Sequence, residues 1–234
     1  MPEPDLRPAT AGRHERIVAG PDPVDAWVAA PAGSAVAGVV LLHAWWGLVR
    51  DVTDYADRLA TAGFLVIAPD LFGGATAATV AEAEALAGAA DPAAVATCAS
   101  AAVGALAARL APGAGIGAVG FSFGAQEAAA LPARHPRVRA SVLHYGTAWG
   151  AEVTATRTPL LLHVAAEDPF EPADAVDAFA AELATAGRPC TLLHYPDTGH
   201  WFAEPSRDAY RAGPAADAFA ATVRFLREHC APGG

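Results

Sequence analysis

Residues 115–131 read Gly-Ile-Gly-Ala-Val-Gly-Phe-Ser-Phe-Gly-Ala-Gln-Glu-Ala-Ala-Ala-Leu, followed by Pro132. Gly115–Val119 is a short apolar run of the kind buried on both faces of a sheet. Ser122–Leu131 has the composition of a helix, ended by Pro132. The junction, Gly120-Phe121-Ser122-Phe123-Gly124, is G-x-S-x-G in the strand–turn–helix setting that gives the pattern meaning. A serine in that sharp, strained turn projects its hydroxyl away from the sheet. Gly120 and Gly124 leave room for strand and helix to meet, and the helix N-terminus offers N–H groups and positive dipole to a developing oxyanion. The bare pattern also fits a helix-capping serine in a glycine-rich turn. The strand before and the helix after it favour a nucleophile.

The rest of the chain repeats this strand–helix alternation. Val24–Ala29, Gly38–Leu42, Phe64–Ala68, Ala140–Leu143, Leu160–Val164 and Thr191–Tyr195 read as further strands. Asp51–Ala62 carries Val52, Tyr55, Ala56 and Leu59 at helical spacing and closes at Gly63. Residues 76–110 carry two Ala-rich helices divided at Asp91-Pro92, an N-cap and first-turn pair. Ala173–Ala186 and Ala215–His229 complete the helices. Such a pattern predicts an α/β fold, a mostly parallel sheet with helices on both faces. No linker, repeat or composition shift divides residues 1–234, so one domain is expected, with 1–14 as a loose N-terminal tail and 231–234 as a C-terminal tail.

Composition excludes several classes of function. Hydrophobic residues make up 53% of the 234, charged residues only 17%, which is not a disordered chain. About a quarter of the chain is alanine. The formal net charge is -10, and all 15 basic residues are arginine. That balance argues against a nucleic-acid partner, and Arg134, Arg137 and Arg139 read as a solvated loop. Without lysine there is no Schiff-base chemistry from the chain. Cys98, Cys190 and Cys230 are odd in number and lack metal-ligand spacing, so no metal site is expected. Met1–Gly20 shows no apolar signal segment, and acids interrupt the Ala-rich run, so a cytoplasmic protein away from the membrane is expected. The sequence does not fix the oligomeric state, monomer or homodimer.

In parallel sheets chemistry gathers beyond the carboxyl ends of the strands. A serine hydroxyl needs a base. His200, in the turn-rich stretch Tyr195-Pro196-Asp197-Thr198-Gly199-His200-Trp201-Phe202, has no structural task in the sequence and is the first candidate; His144 is the second. The acid that orients the base is expected after strand 160–164, at Asp168, with Glu167 as the alternative. Ser, Asp, His is the chain order of an α/β-hydrolase. Phe123 N–H is one expected oxyanion donor, and Trp45 N–H, after strand 38–42, is the other. His43 reads as a brace for that loop. Trp46, Tyr145, Trp149, Phe170, Trp201 and Phe202 all follow strand ends and are expected to contact an apolar or aromatic substrate.

Together, His43-Ala44-Trp45-Trp46-Gly47, Ala68-Pro69-Asp70-Leu71-Phe72, Gly120–Gly124, Tyr145-Gly146, Glu167-Asp168-Pro169 and His200-Trp201-Phe202 resemble the dienelactone hydrolase family over about residues 15–230. The resemblance implies a single-domain α/β-hydrolase without a large lid. It also implies esterase or lactonase chemistry on a small-molecule ester or lactone, with no cofactor. The chain departs from the family's best-known members in three ways. Ser122 stands where they have a cysteine. Ala44 stands where they have a thiol-tuning glutamate. Glu204 and Gly73-Gly74-Ala75 stand where they have carboxylate-binding arginines. Glu204 reads either as a charge that repels anionic substrates or as a solvated loop residue. An alternative use of the same fold and triad is a cyclisation, lyase or acyl-transfer step. A ligand-binding module is a third, which an intact triad disfavours.

Overall fold

The structure is a computed structural model that describes residues 11–18 and 23–232. In chain order its elements are β1 (Arg13–Val18), β2 (Pro23–Ala29), β3 (Ala37–Leu42), α1 (Arg50–Thr61), β4 (Phe64–Pro69), α2 (Val80–Ala89), α3 (Pro92–Arg109), β5 (Ile116–Phe121), α4 (Phe123–Arg134), β6 (Val138–His144), α5 (Ala151–Thr154), β7 (Leu160–Glu167), α6 (Ala173–Ala186), β8 (Cys190–Gly199) and α7 (Ala212–Cys230). The strands form one sheet in the order β1-β2-β4-β3-β5-β6-β7-β8. β2 runs antiparallel to β1 and β4, and the remaining pairs are parallel.

The central strands β3, β4 and β5 are buried at every residue, as their unbroken apolar runs require. Helices α3, α4, α5 and α6 cover one face through Val95, Leu106, Leu131, Val153 and Phe179. Helices α1 and α7 cover the other through Val52, Tyr55, Leu59, Ala218 and Leu226. Among the described residues α3 is the one helix long and apolar enough to cross a bilayer, and its Val95, Ala99 and Leu106 pack instead onto the sheet. Thr79 and Glu82 form a reciprocal capping box on α2, and Asp91 caps α3 through Ala93 N–H.

Several boundaries differ from the sequence expectation, among them the end of β7, which runs to Glu167 rather than Val164. Arg13 and His14 belong to β1 rather than to a loose tail, because Arg13–Val18 pairs residue by residue with Pro23–Val28 of β2. Residues 1–10 of that expected tail and 233–234 of the C-terminal one lie outside the described residues. Pro132 does not end α4, which runs on to Arg134. A proline there lacks the N–H that would reach the Ala128 carbonyl. Ser141 Oγ–H donates to that carbonyl instead, at 2.8 Å, so the helix continues without an orphan acceptor. β8 extends to Gly199, beyond the expected Tyr195, and Glu167 of β7 pairs with Gly199.

Three buried histidines carry structural duties on this framework. His43 Nδ1–H donates to Ala44 O at 2.7 Å, and its Nε2 accepts Leu71 N–H at 3.0 Å, which ties the loops after β3 and β4 together. His144 stacks on Phe121 and His163 with ring centroids 4.3 and 4.4 Å away. His163 bonds Tyr195 Oη and Thr222 Oγ1 at 2.9 and 3.0 Å. Burial lowers His43 to about 4 and His163 to about 3, and lowers His144 strongly. Below the ordinary value of 6.5 the unfolded chain binds protons these rings refuse. Their contribution to stability is therefore complete above about pH 6.5 and is lost as pH falls towards 3–4. Urea midpoints measured from pH 7 to 4 are expected to fall, and less steeply in a His144→Phe variant. Equal slopes in the two proteins would refute neutral burial of His144.

Candidate active site

The turn after β5 places Ser122 by force of local geometry. Ser122 has φ 46° and ψ −110°, a conformation L-residues avoid. Its N–H donates to His144 O at 3.0 Å, and its carbonyl accepts Ala125 N–H at 2.8 Å, so both sides of the strained residue are held. The flanking glycines permit the crossing. A Cβ at 120 would lie 2.3 Å from Gly124 O, and one at 124 would lie 2.6 Å from Leu42 O. The start of α4 thus presses against the end of β3. Phe123, opening α4, owns a first-turn donor with no acceptor inside the helix.

The expected base and acid come from neighbouring strand ends. His200 follows the last residue of β8, and Asp168 follows the last residue of β7. Ser122 Oγ lies 2.8 Å from His200 Nε2, and His200 Nδ1 lies 2.7 Å from Asp168 Oδ2. His200 and Asp168 side chains are 4% and 2% exposed, so water does not compete for this bond. The other oxygen, Asp168 Oδ1, accepts Phe170 N–H and Glu171 N–H at 2.9 and 3.0 Å. Both carboxylate oxygens are thereby occupied. A carboxylate acceptor at Nδ1 puts the imidazole proton there and leaves Nε2 to accept from Ser122 Oγ–H. His144, the second candidate base, is buried in its aromatic stack away from this chain of bonds. Glu167 pairs within β7–β8 and is not brought to His200.

The aromatic residues divide. Trp45, Phe170 and Trp201 form one cluster, with centroids 5.4 Å (Trp45–Phe170), 5.9 Å (Trp45–Trp201) and 5.2 Å (Phe170–Trp201) apart. Phe170 and Trp201 lie 4.9 and 5.0 Å from the His200 ring, and Phe170 is 43% exposed. Trp46, Tyr145 and Phe202 are buried and offer a substrate no surface, contrary to expectation. Trp46 is covered by Trp45, Trp201 and the Arg207 guanidinium, while Phe202 packs on Tyr145 and Tyr195. Trp149 is exposed but stands apart, over Phe179 of α6, with its backbone bonded both ways to Gln126. Glu204 is neither a solvated charge nor a surface repeller: it is buried and accepts Tyr145 O–H at 2.8 Å.

Two residues passed over in the sequence also shape the site. Glu171 accepts Thr147 N–H and Oγ–H at 3.1 and 2.8 Å, joining the loop after β6 to the loop that carries Asp168. Burial raises its carboxyl above the ordinary value. A glutamate and a threonine 24 residues apart in two loops leave no mark in sequence periodicity.

The model of the dienelactone hydrolase family matches residues 24–230. A Methylorubrum extorquens protein, named by inference as a carboxymethylenebutenolidase, is 25% identical over 224 residues, covering 88% of this chain and 77% of its own. The crystal structure of an inferred dienelactone hydrolase from Klebsiella pneumoniae superposes with TM-score 0.85 at 20% identity, covering 93% of this chain and 98% of its own. A dienelactone hydrolase-like promiscuous phosphotriesterase from metagenomic libraries superposes with TM-score 0.81 at 22% identity, covering 95% and 99%. The last two bear on the fold, whereas the family match spans nearly every element from β2 to α7. The chain belongs to the dienelactone hydrolase family and is a hydrolase.

Proposed function

We propose that the protein is a serine hydrolase that cleaves a carboxylic ester or lactone through an acyl-enzyme on Ser122. The observation that carries this reading is the unbroken chain Ser122 Oγ–His200 Nε2 (2.8 Å) and His200 Nδ1–Asp168 Oδ2 (2.7 Å) at a strained strand–helix turn. Ser122 Oγ attacks the carbonyl carbon while His200 takes its proton. Asp168 holds the imidazole and stabilises the imidazolium. Phe123 and Trp45 N–H groups bind the oxyanion. The bond to the leaving alkoxide then breaks, and His200 hands that oxygen its proton. Water, deprotonated by His200, adds to the acyl carbon; the proton returns to Ser122 Oγ as the acid leaves. A lactone follows the same course, with its alcohol still tethered.

Trp45, Phe170 and Trp201 are the surface beside His200 that an apolar or aromatic group would meet, and we assign them to substrate contact. With Glu204 at the place of a carboxylate-binding arginine, a neutral substrate suits the site better than an anionic one. The partner is a small molecule. A chain of net charge -10 without lysine is suited to neither nucleic acid nor an anionic membrane. Three free cysteines suit the reducing cytoplasm.

The test is a panel of esters, lactones and thioesters, with intact-mass trapping of the acyl-enzyme and fluorophosphonate labelling. Turnover of a neutral aromatic ester and a single adduct on Ser122 are the expected results. A phosphonate adduct with no hydrolysis of any panel member would move the assignment to cyclisation or acyl transfer. No adduct at Ser122 would end the serine mechanism altogether.

A further inference from the structure

Glu204 and Tyr145 are buried beside the triad, yet the reaction above gives neither a task. We propose that Glu204 is a positioning residue, which through Tyr145 fixes the imidazole of His200 between its two hydrogen-bond partners. The inference rests on the hydrolase reading and concerns the buried side of the same site.

The geometry is specific. Tyr145 follows His144, whose carbonyl holds Ser122 N–H, and its own N–H donates to His163 O at 2.9 Å. Its φ of +38° is unusual for a bulky residue, so the backbone there is held against its preference. The phenol ring lies 5.0 Å from the His200 ring and Tyr145 is 1% exposed, whereas the ring's other close neighbours, Phe170 and Trp201, are exposed and half-buried. Tyr145 therefore supplies the rigid side of the imidazole's surroundings. What aims the phenol is its O–H bond to Glu204 Oε1 at 2.8 Å. Glu204 stands four residues past His200 in the same tight turn, closed by Phe202 N–H to Gly199 O and Glu204 N–H to Trp201 O. Imidazole, phenol and carboxyl thus form a closed loop of contacts.

The state of Glu204 follows from what faces it. Burial, the largest influence, raises it to about 8; the Tyr145 hydrogen bond lowers it, Asp51 of α1 raises it, and Arg207 on its own segment lowers it. Beyond Tyr145 lie Tyr55 and His144, and Tyr145 itself is raised well above its ordinary value, first by burial and then by Glu204. Among the described residues Oε2 has no partner, so a proton there displaces no bond. A carboxyl raised to about 8 favours the neutral form at pH 7, which accepts from Tyr145 as a carboxylic acid. Ionisation leaves a buried charge that draws the 200–204 turn towards water. A raised carboxyl binds its proton more firmly in the folded chain. The arrangement is therefore intact at low pH and is lost as pH rises through about 8.

The experiment compares pH profiles of kcat and KM from pH 6 to 10 on a p-nitrophenyl ester. The proteins are the wild type, Glu204→Leu, Glu204→Gln and Tyr145→Phe, each with thermal melts and fluorophosphonate labelling. Glu204→Leu and Tyr145→Phe are expected to lose about tenfold in kcat at pH 7, with KM within about twofold. Glu204→Gln, a neutral mimic of the acid, is expected to restore kcat and to extend the plateau at least one pH unit beyond the wild type's alkaline fall. A Glu204→Gln profile superimposable on the wild type's, or full kcat in Tyr145→Phe, overturns the proposal. If the wild type neither labels nor turns over esters, the hydrolase reading fails first. If it labels normally and the variants match it, only the positioning role falls.

Discussion

Ser122→Ala is expected to lower kcat/KM by about 10⁴- to 10⁶-fold while leaving the fold intact. The tenfold unit of 1.36 kcal/mol makes this roughly 5–8 kcal/mol of lost transition-state stabilisation. The magnitude follows from covalency: without Oγ no acyl-enzyme forms, and only the oxyanion donors and substrate contacts continue to act. Stability should hold or rise slightly, because alanine removes the hydroxyl but keeps the strained φ of 46°. Asp168→Asn is expected to cost about 10⁴-fold, since an amide at the Oδ2 position favours the wrong imidazole tautomer. The two losses should not add, because each disables the same chain of hydrogen bonds. Steady-state rates on the best ester of the panel decide the matter. More than about a tenth of wild-type activity in Ser122→Ala would remove Ser122 from the mechanism.

The largest stability effect is expected at Arg188, whose hydrogen-bond acceptors among the described residues are carbonyls and a hydroxyl. Arg188 is 2% exposed and donates to Thr158 O, Ala129 O, Val153 O and Ser141 Oγ at 2.9, 2.9, 2.7 and 3.1 Å. It joins α4, α5, β6 and the strand entry of β7 at one point, with no carboxylate among these partners. Ser141 is the same residue that satisfies the carbonyl freed by Pro132, so one network supports both anomalies. Burial lowers the guanidinium to about 10, which still leaves it charged at neutral pH. Arg188→Ala strands these acceptors and opens a cavity, with an expected loss of about 3–5 kcal/mol. For a chain of this length that is roughly 10 °C in Tm. Lysine should recover little, because a point charge cannot span a fork of acceptors. A Tm within about 2 °C of wild type in Arg188→Ala would show that the network contributes nothing.

The residues most legible in the sequence are those where one local pattern has one physical meaning. Apolar β-branched runs separated by Ala-rich helices announced the parallel sheet. G-x-S-x-G at a strand–helix junction marked Ser122. The positions of Asp168 and His200 after the last two strands followed from where such sheets carry their chemistry. Less legible were features in which a local preference is overridden at a distance. Pro132 reads as a helix stop because its partner Ser141 is invisible from the helix itself. Arg13 and His14 read as a tail because β1 opens on four polar residues and is mostly exposed, and its pairing with β2 is what makes it a strand.

Sequence alone determined the fold class, most of the elements apart from β1 and α5, and the three candidate triad residues, because each depends on periodicity, turn chemistry or chain order. Only the tertiary structure decided which aromatic residues stand beside His200 and which are buried. Trp45 and Trp46 are neighbours in sequence, yet one borders the site and the other lies beneath Arg207. Tertiary structure alone also turned Glu204 from an apparent surface charge into a buried acid bonded to Tyr145. A side chain's solvation, and hence its charge, is set by every element packed around it, and that information is spread along the whole chain rather than written at its own position.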